Sequence, residues 1–204
     1  MSRVICVSTA ALLVSMAATA APLSAQYRYG GMPAPAAGTP GTPGAPAAPM
    51  VGEMAPDFSA PIADATGAKS ARVSLAGLRG HVVVVAFYPK DRTSGCTAEL
   101  SKFRDEFSAM FGEDVAVLPI SLDDLDSHVS WAQEMHLPFA LVSDTTGKIA
   151  TAYGSLPPGK SYASRTVFVV GKDGKVSYRE LRFNPVDQHA YDALKEAIEK
   201  AKRA

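Results

Sequence analysis

Residues 81–96 read HVVVVAFYPKDRTSGC, and this stretch decides the fold. Val82 to Tyr88 is a continuous apolar run rich in β-branched side chains. That pattern belongs to a parallel strand buried on both faces, since a half-solvated strand would alternate polar and apolar residues. A proline and a short polar loop follow. Apolar positions then recur at Cys96, Leu100, Phe103, Phe107 and Met110 or Phe111, in helical steps of three and four. The spacing predicts strand, tight loop and helix, with Cys96 in the first helical turn. Thr93 and Ser94 are available as N-caps and Gly112 as a C-terminal cap. A helix N-terminus carries unpaired N–H groups and the positive end of the dipole, which favour a thiolate and make Cys96 a candidate nucleophile. The same stripe puts Cys96 on the buried side of the helix.

Working outward, Val115 to Ile120 reads as a second buried strand. Leu125, Val129, Ala132 and Met135 form a helical stripe that Asp124 or Asp126 can cap. Leu137-Pro138-Phe139 ends that helix, and Asp144 can cap a short one running to Tyr153. Ser155 to Ser164 reads as an exposed loop. Thr166 to Val170 is a strand, Lys172 to Lys175 a hairpin turn, and Val176 to Leu181 the returning strand. Asp187 can cap a last helix whose apolar face is Ala190, Leu194, Ala197 or Ile198, and Ala201. On the N-terminal side, Ala55 to Phe58 is extended, Gly67 marks a turn, and Val73 to Leu75 is a short strand. The expected class is α/β, with a mixed central sheet flanked by helices and an N-terminal β extension, an order that resembles the thioredoxin fold.

The 204 residues suffice for one domain with extensions. Twenty basic and twenty acidic residues cancel, which gives no basis for expecting nucleic acid or an anionic membrane as partner. The start resembles an export signal: Arg3, then an uncharged apolar run from Val4 to Ala20, then small residues at 17–21 and 23–25. Cleavage after Ala20, Ala21 or Ala25 fits. With the boundary drawn at Ala25, residues 1–25 are a signal peptide, 26–50 a Pro/Ala/Gly-rich linker, and 51–204 the domain. The apolar run is short for a membrane span, so no stable insertion is expected after processing. Removal of the signal also removes Cys6 and leaves a single cysteine, Cys96.

These segments resemble the peroxiredoxins, in particular the group of bacterioferritin-comigratory protein and peroxiredoxin Q. The resemblance runs through Ala55–Phe58 (APDF), Phe87–Leu100 (FYPKDRTSGCTAEL), Ser121–His128 (SLDDLDSH), Leu137–Asp144 (LPFALVSD), Ala152–Gly154 (AYG) and Ser164–Val170 (SRTVFVV). It implies that Cys96 is the peroxidatic cysteine, Pro89 the loop proline, Thr93 the loop hydroxyl and Arg165 the site arginine. Glu99 stands where the family often carries a polar residue against that arginine. On this reading Thr93 and the N–H groups around Gly95 and Cys96 bind the peroxide oxygens, and Arg165 stabilises charge on the leaving oxygen. The resemblance implies reduction of hydrogen peroxide or organic hydroperoxides without a cofactor, and since no clustered metal-ligand spacing occurs in the sequence, no metal is expected.

Two residues depart from the pattern. Ser94 replaces a common proline, which predicts a more mobile loop. Ser101 replaces the resolving cysteine that many relatives carry five residues after the peroxidatic one. An internal disulfide is then impossible, and the expected partner is an external thiol, either a thioredoxin-like protein or a small thiol. A second subunit's Cys96 could also resolve it, so the expected state is monomer or homodimer. The expected location is outside the cytoplasm, in a bacterial periplasm.

Each residue also has a plain reading. A lone cysteine on an apolar stripe is ordinarily packing; Arg165 is by default a surface cation, and Thr93 a simple cap. His81, His128, His136 and His189 stand in no activating motif, and His128 and His136 read as structural. Trp131 reads as packing, and Asp123, Asp124 and Asp126 as a solvated capping loop. A thiol–disulfide oxidoreductase would want a second cysteine at position 99, which is Glu99. A holdase chaperone or redox-sensing module is the non-enzymatic alternative.

Overall fold

The computed structural model describes residues 47–67 and 72–204. The assigned signal and most of the assigned linker lie outside the described residues. In chain order the elements are β1 (Ser59–Ala63), β2 (Arg72–Ser74), a 3-10 turn (Ala76–Leu78), β3 (Val82–Phe87), α1 (Ser94–Asp105), α2 (Phe107–Met110), β4 (Val115–Ser121), α3 (Leu125–Met135), β5 (Leu141–Ser143), α4 (Lys148–Ala152), β6 (Thr166–Val170), β7 (Val176–Glu180) and α5 (Gln188–Arg203). The strands form one mixed sheet in the order β2-β1-β5-β4-β3-β6-β7.

All six residues of β3 are buried, as the unbroken apolar run requires. The strand pairs in parallel with β4 and antiparallel with β6. Its alternate side chains feed two cores. Val82, Val84, Ala86 and, just past the strand, Tyr88 pack with Leu100 and Phe103 of α1, Trp131 of α3, and Leu194 and Ile198 of α5. Val83, Val85 and Phe87 point the other way, toward Phe58, Ile149 and Tyr153.

Several expectations shift in detail. The helix that begins before Cys96 breaks at Glu106, so Phe107–Met110 is a separate short turn of helix. Met110 and Phe111 still reach the core. On α3 the buried face is rotated from the predicted one: His128, Trp131, Ala132 and Met135 are buried, while Leu125 and Val129 are half-buried. Burying a histidine there is possible because its ring nitrogens find partners, so a polar residue occupies a place that periodicity gave to an aliphatic one. Asp124 is the cap, accepting from Ser127 N at 2.8 Å, and His136 ends the helix in the left-handed conformation. Asp123 is no solvated loop residue, since its Oδ2 accepts from Asp91 N at 2.9 Å and from Ser121 Oγ at 2.8 Å. The stretch predicted as an exposed loop has buried ends, Ser155 and Ala163, and Ser155 Oγ lies 2.6 Å from Thr166 Oγ1. At the other end of the domain, residues preceding Val51 already rest on it. Arg179 Nη1 donates to the carbonyl oxygens of Ala48 and Pro49 at 3.2 and 3.3 Å.

Candidate active site

Cys96 is the third residue of α1 and has no exposed surface. Thr93 occupies the N-cap position with extended backbone, but its side chain makes no cap bond. Its Oγ1 turns back to donate to the Lys90 carbonyl at 3.1 Å, and Thr93 itself is exposed. The plain capping role therefore does not hold. Leaving the cap unmade keeps the first-turn N–H groups of α1 available to an anionic oxygen.

Arg165 arrives from far along the chain, and the sheet register explains how. Antiparallel pairing sets Thr166 opposite Phe87. The residue before β6 therefore lies just beyond the end of β3, where the loop toward Cys96 begins. From there Arg165 Nη2 donates to Cys96 Sγ at 3.3 Å. Its Nη1 pairs with Glu99 Oε2. One planar guanidinium thus touches both the sulfur and the carboxylate, using the fork geometry that a lysine lacks. Gly95 is part of the same fit, because a Cβ there would meet Arg165 Nη2 at 3.0 Å. Pro89 is partly buried at the head of the loop.

The ion pair is lopsided. Glu99 has no exposure, whereas the Arg165 side chain keeps 15%. Burial pushes the Glu99 carboxyl up to about 7, only partly offset by the charge and hydrogen bond of Arg165. Its second oxygen, Oε1, is buried with no hydrogen-bond partner among the described residues. For Arg165 burial acts to lower the guanidinium, but the Glu99 charge and the contacts with Cys96 outweigh it and hold it above its ordinary value. Arg165 is therefore a reliable cation at the sulfur, and the carboxylate beneath it carries the cost of desolvation.

Sequence reasoning missed the underside of the loop. Asp91 is 6% exposed, and its carboxylate accepts from Tyr88 Oη at 2.8 Å, Ser127 Oγ at 2.7 Å and His128 Nδ1 at 2.9 Å. Arg92 has φ of 61°, left-handed for a non-glycine residue, and its guanidinium grips Glu134 through two bonds at 3.1 and 2.7 Å. The available signal was a histidine in helical register with Trp131 and Ala132, which forces a polar ring into the core. Of the residues singled out in the sequence, Cys96, Glu99, Gly95 and Arg165 form one cluster, and Thr93 and Pro89 lie on the loop that leads into it.

A cysteine in the first turn of a helix, with an arginine held against its sulfur on a thioredoxin-like sheet, is an arrangement that can support thiol-based redox chemistry. The chain belongs to the AhpC/TSA family, whose pattern it matches over residues 51–179. It is 38% identical over 133 residues to a provisionally named peroxiredoxin Bcp of Coxiella burnetii, covering 62% of this chain and 85% of that one. It is 30% identical over 150 residues to peroxiredoxin Bcp of Bacillus subtilis, covering 71% and 92%. Among solved structures, peroxidoxin BcpB of Mycobacterium tuberculosis superposes with a TM-score of 0.63 at 27% identity, over 74% of this chain and 97% of that one.

Proposed function

We propose that this chain is an exported thiol peroxidase of the one-cysteine type, reducing hydrogen peroxide and organic hydroperoxides through Cys96. The observation that carries the chemistry is Arg165 Nη2 at 3.3 Å from Cys96 Sγ, with Glu99 holding the other arm of the guanidinium.

The thiolate sulfur attacks one oxygen of R–O–O–H, a sulfur–oxygen bond forms, and the O–O bond breaks. The electron pair leaves on RO⁻, which takes up a proton to become ROH. Arg165 faces the negative charge at both ends of this step: first on sulfur, then on the departing oxygen. First-turn N–H groups of α1 supply further donors without having to reorganise. Cys96 ends as sulfenic acid, Cys–SOH. A first external thiol condenses with it, forming a mixed disulfide and water. A second thiol then displaces Cys96 as thiolate and leaves the reductant oxidised. Cys96 is the single cysteine among the described residues, which supports an external rather than internal reductant. Its sulfur has no exposed surface, so that reductant reaches it only when the first turn of α1 opens.

Purified protein supplied with a dithiol or a thioredoxin should consume peroxide, and Cys96→Ser should abolish turnover. Intact mass after one equivalent of peroxide should show one added oxygen, or a mixed disulfide if thiol is present. A wild-type protein that consumes no peroxide with any thiol donor, and whose Cys96 stays reduced, would refute the reading. Export is tested by signal cleavage and fractionation of the tagged full chain.

A further inference from the structure

The loop that carries Pro89 and Thr93 is fixed from beneath by one carboxylate. Asp91 receives donors from three directions: Tyr88 at the end of β3, and Ser127 and His128 on α3. Its own N–H donates to Asp123 at the end of β4. The His128 ring is fully buried, with Nδ1 on Asp91 and Nε2 3.3 Å from the Val142 carbonyl of β5. Both ring nitrogens thus lie within hydrogen-bonding distance of an oxygen, which fixes the ring between the loop and β5. Immediately beyond, Arg92 turns outward through its left-handed backbone and is clamped on Glu134 and Ser130. A non-glycine residue holds such a conformation where its surroundings fix it. Asp91 pulled inward and Arg92 pinned outward together set the course of the chain into Thr93 and the first turn of α1.

We propose that Asp91 and His128 are positioning residues for the Cys96 chemistry: the buried pair holds the loop closed over the first turn of α1 and governs how often that turn opens. The proposal rests on the peroxidase reading. Neither residue contacts the sulfur; they act through the loop. The two halves of the cycle make opposite demands on it. Reaction with a small peroxide wants Thr93 and the α1 N–H groups in place. Reaction with a bulky thiol reagent wants the sulfur uncovered. Weakening the anchor should therefore slow the first and speed the second, and restoring a donor to Asp91 should reverse both, which a general loss of stability would not allow.

The test compares His128→Leu with His128→Asn, whose side-chain amide nitrogen takes the place of Nδ1 as donor to Asp91. Two rates are measured on reduced protein: single-turnover reaction with hydrogen peroxide, and labelling of Cys96 by a bulky maleimide. His128→Leu should lower the peroxide rate and raise the labelling rate, each by about tenfold or more, the worth of a charge-assisted hydrogen bond in the opening equilibrium. His128→Asn should recover most of both. If His128→Leu does not fold, Ser127→Ala removes one donor from Asp91 and should give the same opposed shifts at smaller size. Rates that move in the same direction, or that do not move, overturn the proposal, as does His128→Asn behaving like His128→Leu. A wild-type protein inert to peroxide would instead sink the peroxidase reading, and the labelling rates would still decide whether the pair controls opening.

Discussion

Replacing Glu99 with glutamine isolates the cost of keeping a carboxylate beneath Arg165. In the unfolded chain Glu99 has an ordinary value of 4.5, and burial in the fold raises it to about 7. Between those values the folded protein keeps a proton that the unfolded chain has released, so stability falls as pH rises. The penalty is absent below about pH 4.5, grows through the window and is complete above about pH 7. At about 1.4 kcal/mol per pH unit, the gap from 4.5 to about 7 amounts to roughly 3 kcal/mol. Glutamine does not titrate. The stability of Glu99→Gln relative to wild type should therefore rise by roughly 3 kcal/mol between pH 4.5 and pH 8, whatever fixed offset the altered Arg165 contact introduces. Asp144 is also raised, by burial against hydrogen bonds from the start of α4, but it is common to both proteins and cancels. Asp91 is held low and acts at more acidic pH than this window. Urea unfolding at a series of pH values, with Cys96 kept reduced, gives the difference directly. A difference that stays flat from pH 4.5 to pH 8 would refute the claim that Glu99 holds a proton in the fold near neutrality.

Three further outcomes follow from the geometry. Arg165→Lys keeps the charge but cannot hold Glu99 and the sulfur with one rigid fork, so kcat/KM for peroxide should fall about 100-fold with the fold intact; a rate near wild type in steady-state assay would show that charge alone suffices. Gly154 has φ of +63°, and a Cβ there would meet Ala48 N at 2.6 Å. Gly154→Ala should cost about 1–3 kcal/mol in thermal unfolding, from the left-handed backbone and the Ala48 contact together, and an unchanged Tm would refute both. Ser101→Cys places a second thiol five residues along α1, about 140° around the helix from Cys96. A disulfide after peroxide treatment, read as loss of two hydrogens in intact mass, would require α1 to unwind; persistence of sulfenic acid in that variant would show that it does not.

How far the sequence carries depends on whether a feature is local. β3 is legible because burial on both faces imposes an unbroken apolar run, and the first turn of α1 is legible because its stripe starts at Cys96. Arg165 is not legible from its own neighbourhood. It stands 69 residues from Cys96, and only the register of β6 on β3, Thr166 opposite Phe87, brings it to the sulfur. The family resemblance supplied that pairing. β5 escaped the pattern because three residues are too short for a period to show. On α3, periodicity chose Leu125 and Val129 for the core, and the fold buried His128 and Trp131 instead. Helical spacing weighs hydrophobicity alone and cannot know that a carboxylate from another loop will meet the ring.

The two buried carboxylates show why counting donors matters more than depth. Asp91 and Glu99 both lie within the fold and each pairs with a nitrogen-bearing side chain, yet they shift in opposite directions. For Asp91, burial would raise the carboxyl, but the hydrogen bond and charge of His128, with the hydroxyls of Ser127 and Tyr88, hold it below the ordinary range. Among the described residues Glu99 pairs with Arg165 through one oxygen and leaves the other without a partner, and burial wins. The consequence is a division of labour. A fully satisfied carboxylate is a fixed anchor, and Asp91 sits under the loop that must keep its course. A half-satisfied one responds to pH and to its partner, and Glu99 sits against the arginine whose second arm reaches the sulfur. Had the donors been exchanged, the loop would rest on a group that titrates near neutrality and Arg165 on a permanent anion that draws it away from Cys96. The distribution present here keeps the scaffold constant and leaves the adjustable charge beside the chemistry.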